Sequence, residues 1–432
     1  LEASGDRYRG LAVRRAAGEA LEQSGATFLR YGGTFTETAF AASSNAEAWR
    51  LFSGPKWTRP PYTSDHSVIK DTKLRRWSRG FGPLEVLDLC DALDLDCAVA
   101  LPHWETPASL SAFVTSIADR YPARFLSKVI VQIGNELCPG DFSNATNGLA
   151  YGFAEQAAAM EAAAVAAGVG GSLRYAYGTY KGLIAPDAGC QTNLTAYDLM
   201  RELQPTGLCD RSYFDDHFTP SFEPDGGSVV EAATRINAWA DEMNCAARLV
   251  AFEQNLCNQG ERFDAALARA AYFNALTATP RLAAAAASQL WSAAAHYDGC
   301  GEGHVLLDPR GWVAEPPFWA MAMAYAGHGE KALSLEAVGN LSLGAGVDGR
   351  TTYLRAVNLD LAPATVDVSI AGANDTCAAT VDVLAAPADG WSGFDGPAIA
   401  PARSNASCAV VDGAARVSVV APARSFVVVG VT

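Results

Sequence analysis

The chain has 432 residues, 50% hydrophobic and 18% charged, with a formal net charge of −15, enough for one large domain and a smaller one. With no basic cluster longer than Lys73-Leu74-Arg75-Arg76, the acidic balance excludes nucleic acid as a natural partner and suits a neutral ligand. No apolar run reaches the roughly 18 residues that would mark a membrane span.

Residues 12–24 predict a helix, followed by a strand over Ala26–Tyr31 and the turn Gly32-Gly33. Polar loop sequence with Trp49, Trp57 and Pro60-Pro61 then runs to about Arg79. A helix over Leu84–Leu93 puts Val86, Leu87, Cys90 and Leu93 on one face, and a strand over Asp96–Leu101 follows. Helix Ser109–Arg120 leads into Lys128–Gly140, read as KVIVQIGNELCPG. Its apolar, β-branched run ends in Gly134-Asn135-Glu136 and a Cys-Pro-Gly break, the pattern of a buried strand. An Ala-rich helix over Phe153–Ala167, strand Arg174–Tyr177, helix Leu194–Leu203 and strand Ser212–His217 continue the alternation. Helix Val229–Met243 precedes a second stretch of the central form, Arg248–Asn255, whose strand ends in Glu253. Helix Phe263–Ala278 and strand Ala286–Trp291 complete seven strands, and such alternation predicts a parallel α/β barrel. From about Ser334 apolar and polar residues alternate, as in Thr351–Val357 and Ala415–Val420, which predicts an antiparallel β-sandwich. The expected division is a catalytic barrel over 1–328 and a sandwich over 329–432.

A carboxylate at the end of a buried strand needs a partner or a task. Two such strands, one delivering Glu136 and the other Glu253, predict a paired-carboxylate site at the C-terminal mouth of the barrel. His-x-x-x-His and Cys-x-x-Cys patterns do not occur, and the chemistry expected here needs neither metal nor cofactor. Ten cysteines and sequons at Asn144, Asn193, Asn340, Asn374 and Asn405 point to a secreted protein. It is expected outside the cell, in the cell wall, or in a vacuolar or lysosomal compartment. Cys377 and Cys408 are the only pair in the sandwich and are expected to bond. Cys257 with Cys300 would tie the loops after the last two strands. Cys138 and Cys257 follow the two glutamates closely and read as disulfide staples on site loops.

Asn135-Glu136 and Glu253 resemble the acid/base and nucleophile of clan A retaining glycoside hydrolases, which end the fourth and seventh strands of a (β/α)8 barrel. Here they end the third and sixth visible strands. The resemblance therefore implies a first strand upstream of Leu1, from a cleaved but still bound segment of the precursor or a rearranged N-terminus. Leu29-Arg30-Tyr31-Gly32-Gly33-Thr34-Phe35 resembles a segment of family 51 α-L-arabinofuranosidases, as do Gly54-Pro55, Arg59-Pro60 and Leu84–Cys90. Thr34 after Gly32-Gly33 is equally similar to family 79, the heparanase and β-glucuronidase group. Pro102-His103-Trp104 and His217-Phe218-Thr219 depart from the arabinofuranosidase pattern.

The resemblance implies a TIM barrel with a C-terminal sandwich and a retaining exo-glycosidase acting on wall polysaccharide or glycoprotein glycans. Glu253 would be nucleophile, Glu136 acid/base, and Asn135 a partner of the sugar 2-hydroxyl. Arg30 would hold Glu253 or a sugar hydroxyl. His217, Trp104 and Trp291 are further candidate sugar ligands, with Trp291 as a stacking platform. The alternatives are a family 79-like β-glucuronidase, with Arg30, Lys56 and Lys181 as candidate uronate partners, and a silent glycan-binding wall protein.

Overall fold

A computed structural model describes residues 7–33, 49, 82–143, 148–179, 182–218, 220, 225–254, 263–287, 291–292, 305–308, 311–333, 335, 340–373, 376–386 and 399–432. Seven parallel strands form one sheet in sequence order: β1 (Phe28–Tyr31), β2 (Asp96–Leu101), β3 (Val129–Leu137), β4 (Arg174–Thr179), β5 (Ser212–Phe218), β6 (Arg248–Gln254) and β7 (Ala285–Ala287). β1 and β7 are not ladder partners, yet they approach to within 8 Å between Cα atoms, so the sheet curls almost closed. An eighth strand entering between them would hold them roughly 10 Å apart, at two strand spacings.

Alternation along each strand sorts side chains into two layers. Phe28, Ala98, Ile130, Ala176, Tyr213, Val250 and Phe252 fill the inside of the barrel. Cys97, Val99, Val129, Val131 and Ile133 point outward, into the core shared with helices such as Pro83–Leu93, Pro107–Arg120 and Phe153–Ala166. The expected loop residue Trp49 belongs to that core. It is 2% exposed, its ring meets Phe113 at 5.4 Å, and its indole donates to the Ser109 carbonyl at 3.2 Å.

The last expected barrel strand is shorter than its sequence suggests. β7 ends at Ala287, and Trp291–Ser292 begins β8, which pairs with β9 (Val305–Asp308) in a separate three-stranded sheet completed by β10 (Gly311–Ala314). The Ala-rich run here carries no alternation that would mark the break.

Beyond helix Pro316–Ala326 the chain is a β-sandwich. One sheet orders β11 (Lys331–Leu333), β12 (Ser342–Asp348), β13 (Thr351–Asn358), β19 (Ser425–Val431), β15 (Ala379–Ala385) and β16 (Ala402–Ala406). The other orders β14 (Ala364–Ala371), β18 (Ala414–Ala421) and β17 (Cys408–Val411). All their pairings are antiparallel, and Leu354, Val381, Val427 and Val429 pack with Val366, Val417 and Val419.

The two parts meet through helices Phe263–Ala278 and Pro316–Ala326, whose apolar faces pack on Val357, Leu384, Phe426 and Val428. Arg355, fully buried on β13, crosses this joint. It donates to Asn274 Oδ1 at 3.0 Å, the Gly327 carbonyl at 2.7 Å and Thr277 Oγ1 at 2.9 Å.

Disulfides join Cys138 to Cys190, Cys209 to Cys245 and Cys377 to Cys408. The last is the expected sandwich bond, closing a separation of 31 residues, and contributes roughly 3 kcal/mol. Cys138 is a staple as expected, tying the loop after β3 to the segment after β4. Cys257 and Cys300 lie outside the described residues, as do Asn144, Asn374, Lys56 and Lys181. Asn193, Asn340 and Asn405 are exposed.

Candidate active site

The layer above the apolar barrel interior is polar. Arg30 is two residues beyond Phe28, Gln132 two beyond Ile130, and Asp215 two beyond Tyr213, so all three continue the inward face of their strands. Gly178 continues that of β4. A Cβ there would stand 2.1 Å from the Gly134 carbonyl oxygen and 2.6 Å from Gln132 Nε2, so only glycine leaves room for the Gln132 amide.

Above this layer the strands become irregular. Register shifts interrupt the β3–β4 ladder between Ile133 and Leu137, the β5–β6 ladder between Asp215 and His217, and the β6–β7 ladder between Ala251 and Gln254. Bulges of this kind redirect side chains at barrel rims. Glu136 itself has φ +55°, a left-handed conformation unusual for a residue with a side chain, of the kind that clusters at functional sites.

These bends bring the glutamates together. One carboxylate oxygen of Glu136, one of Glu253 and a ring nitrogen of His217 all lie within 4.8 Å of one another. Two oxygens and a nitrogen this close are also a donor set a metal ion accepts. Arg30 Nη1 donates to Glu253 Oε2 at 3.0 Å, its Nε donates to Gln132 Oε1 at 2.9 Å, and its Nη2 donates to Asn135 Oδ1. Arg30 therefore orients the carboxylate of one strand and the amide of another at once. The guanidinium sits 5.9 Å from the Phe252 ring centre, which in turn stacks on Phe28 at 5.4 Å.

His217 fills the other side. Its Nδ1 lies 3.1 Å from Glu136 Oε1 and 3.5 Å from Glu253 Oε2, and its Nε2 lies 3.3 Å from Asp215 Oδ2. Asp215, fully buried, also accepts from Gln132 Nε2 at 3.3 Å and from the Phe252 amide at 2.9 Å. Burial opposes a charge on His217, but the carboxylates of Glu253, Asp215 and Glu136 outweigh it and push the imidazole up to about 10. Burial raises the Asp215 carboxyl, against the pull of His217, Arg30 and the Phe252 amide. Asp216, the residue between them, is pushed up to about 7, chiefly by burial.

The charged ends face solvent in a definite order. The side chains of Glu136 and Glu253 are 32% and 20% exposed, while those of Arg30 and His217 are 7% and 1% exposed. The carboxylates are the more solvent-facing members of the cluster, and the cations stand behind them.

Of the residues singled out in the sequence, the structure joins Arg30, Asn135, Glu136, His217 and Glu253 into one network. Trp104 is half-buried in the loop after β2, where its carbonyl accepts from the Tyr151 hydroxyl at 2.5 Å. Trp291 stands in β8, outside the barrel sheet. Gln132 and Asp215 were not singled out. The available signal was a polar residue in an otherwise apolar strand, which must find a partner inside.

No protein-family model and no curated protein matches the sequence. Solved structures do. An α-L-arabinofuranosidase from Thermotoga maritima, in an arabinose complex, is similar at 15% identity and TM-score 0.68, over 100% of this chain and 92% of that one. A family 51 arabinofuranosidase from Xanthomonas axonopodis pv. citri is similar at 16% identity and TM-score 0.66, over 98% of this chain and 90% of that one. One from Bifidobacterium longum is similar at 13% identity and TM-score 0.68, over 97% and 90%. The likeness is one of fold, a TIM-type barrel followed by a β-sandwich, and at that level the resemblance read in the sequence is borne out.

Proposed function

We propose that the chain is a retaining glycoside hydrolase of clan A, of α-L-arabinofuranosidase type, with the chemistry carried by the barrel and Glu253 and Glu136 as nucleophile and acid/base. The observation that carries this reading is the approach of the two carboxylates to within 4.8 Å at the mouth of the sheet. Retaining pairs stand about 5–5.5 Å apart, whereas inverting pairs need roughly 6.5–9.5 Å to admit a water.

Charge and access to solvent support these roles. Arg30 and His217 supply two positive charges; Glu136, Glu253 and Asp215 supply three carboxyl groups. The cluster is neutral when one carboxyl holds a proton. Glu253 is bound and aimed by the Arg30 cation, which suits a nucleophile. Asp215 is fully buried and bound by Gln132, His217 and the Phe252 amide, which removes it from contact with a substrate. Glu136, the most exposed of the three, is then the carboxyl that can exchange a proton with both substrate and water.

In the first half-reaction Glu253 attacks the anomeric carbon while Glu136 donates its proton to the leaving oxygen. The negative charge of Glu253 is consumed in the glycosyl ester, which leaves Glu136 as the anion that takes a proton from the incoming water. Asn135 is 2% exposed and held by Arg30 at its carbonyl end, and its amide nitrogen would be the donor to the sugar 2-hydroxyl.

Arg30 is ill suited to serve as the uronate partner of the glucuronidase alternative. A uronate needs a cation of its own, and Arg30 is engaged by Glu253, Gln132 and Asn135. The three disulfides among the described residues support a secreted or lysosomal-type location. Exposed Asn193, Asn340 and Asn405 are the glycan acceptors it would use there. Aryl α-L-arabinofuranoside and aryl β-D-glucuronide, assayed side by side, test the reading. Turnover of the first alone is expected; turnover of the second alone selects the alternative, and turnover of neither points to a silent glycan-binding protein.

A further inference from the structure

Two cysteines remain outside the disulfides among the described residues, and they face each other. Cys90 lies on the inner face of helix Pro83–Leu93, Cys97 on the outward face of β2, and both are fully buried. Their sulfur atoms stand 2.9 Å apart, closer than two unbonded sulfurs pack and a little outside the roughly 2.05 Å of a bond. The chain between them is held for this meeting. Asp94 turns back in a left-handed conformation at φ +57°, and the Leu95 amide donates to the Cys90 carbonyl at 2.9 Å. The Cys97 amide is fixed from the other side by the Lys128 carbonyl at 2.9 Å.

We propose that Cys90 and Cys97 form a fourth structural disulfide, joining helix Pro83–Leu93 to β2. Neither cysteine belongs to the carboxylate cluster, so the bond does not rest on the proposed activity. A second feature supports it. Every other cysteine among the described residues is already bonded, so the surroundings in which this chain folds must oxidise thiols.

The chemistry is exchange with a small-molecule or protein disulfide. One thiolate attacks that disulfide and expels one thiol; the second thiolate then attacks the mixed disulfide and expels the other. Two Cys thiols and one external disulfide become one Cys–Cys bond and two external thiols. Because both sulfurs are sealed in the finished core, the exchange belongs to folding, before the helix covers β2, and the bond is then shielded from reductant. Its place matters for the site indirectly. Among the described residues β2 is the sole ladder partner of the four-residue β1, and Ala98, next to Cys97, registers opposite Arg30.

The test is direct, because cleavage after Lys and Arg releases Gly80–Arg120, which contains these two cysteines and no others. Protein secreted by a eukaryotic host is denatured in alkylating agent without reductant, digested and weighed. The expected peptide carries no alkyl group and is lighter than the dithiol by two hydrogen atoms. After reduction it takes two alkyl groups. Cleavage before aspartate, which cuts at Asp91, Asp94 and Asp96, should leave the two cysteine fragments joined until reduced. Two alkyl groups on the unreduced peptide, or a link from either residue to any other cysteine, would overturn the proposal.

Discussion

The mouth of the barrel and the joint between barrel and sandwich each bury an arginine, and the two are satisfied in opposite ways. At the joint, the acceptors that Arg355 meets among the described residues are all neutral: Asn274, Gly327 and Thr277. Burial lowers its guanidinium to about 10, and the Phe273 ring 5.3 Å away is a neutral partner as well. At the mouth, Arg30 and His217 face a surplus of carboxyl groups. A cation among fixed neutral dipoles is structure, since no proton has to move near neutral pH. Cations outnumbered by carboxyl groups leave a proton with more than one possible owner, which is what acid–base chemistry requires.

The sharpest way to break this contrast is to remove the nucleophile. Glu253→Gln keeps shape and hydrogen-bonding capacity, and should lower kcat by roughly 10⁴-fold or more with the fold intact. Glu136→Ala should cost about 10²–10⁴-fold on substrates with poor leaving groups and much less on activated aryl glycosides, with added azide restoring turnover. Equal losses on both substrate types would show that Glu136 is not the acid.

At the joint the expected effect is on stability alone. Arg355→Met leaves buried acceptors without a donor and should cost about 3 kcal/mol in denaturant unfolding, while kcat of the folded fraction stays as it was. A fall in kcat at unchanged stability would erase the distinction between the two regions.

The smallest expected effect concerns the proton itself. His217 is raised from 6.5 to about 10 in the folded protein. Its contribution to stability is therefore complete below pH 6.5 and lost as pH rises toward 10. Asp215→Asn removes one of the anions responsible, so the imidazole should lose its proton at lower pH, read by NMR of the His217 ring. A titration unmoved by that substitution would mean that Asp215 does not act through His217.

Much of this was legible in the sequence. β2 and helix Phe263–Ala278 end where the pattern predicts, because a composition change or a charged residue marks each boundary. Glu136 and Glu253 stand out because a carboxylate ending a run of buried residues has no cheap explanation. Asp215 and Gln132 are less legible, since their role depends on which strands face each other across the barrel, a relation that period-two alternation does not contain. Trp291 is misplaced by sequence because the Ala-rich run before it conceals the end of β7. Trp49 looks like loop and is core, because its partner Phe113 lies on a helix that begins nearly sixty residues later in the chain.

The central claim is that Glu253 and Glu136 work from opposite sides of one sugar through a glycosyl ester. Following the first product by proton NMR, before it mutarotates, tests this most directly. Two displacements return the anomeric configuration of the substrate, so an aryl α-L-arabinofuranoside should release arabinose first as the α-anomer. Release of the β-anomer would mean a single displacement by water, and would contradict the assignment of Glu253 as nucleophile.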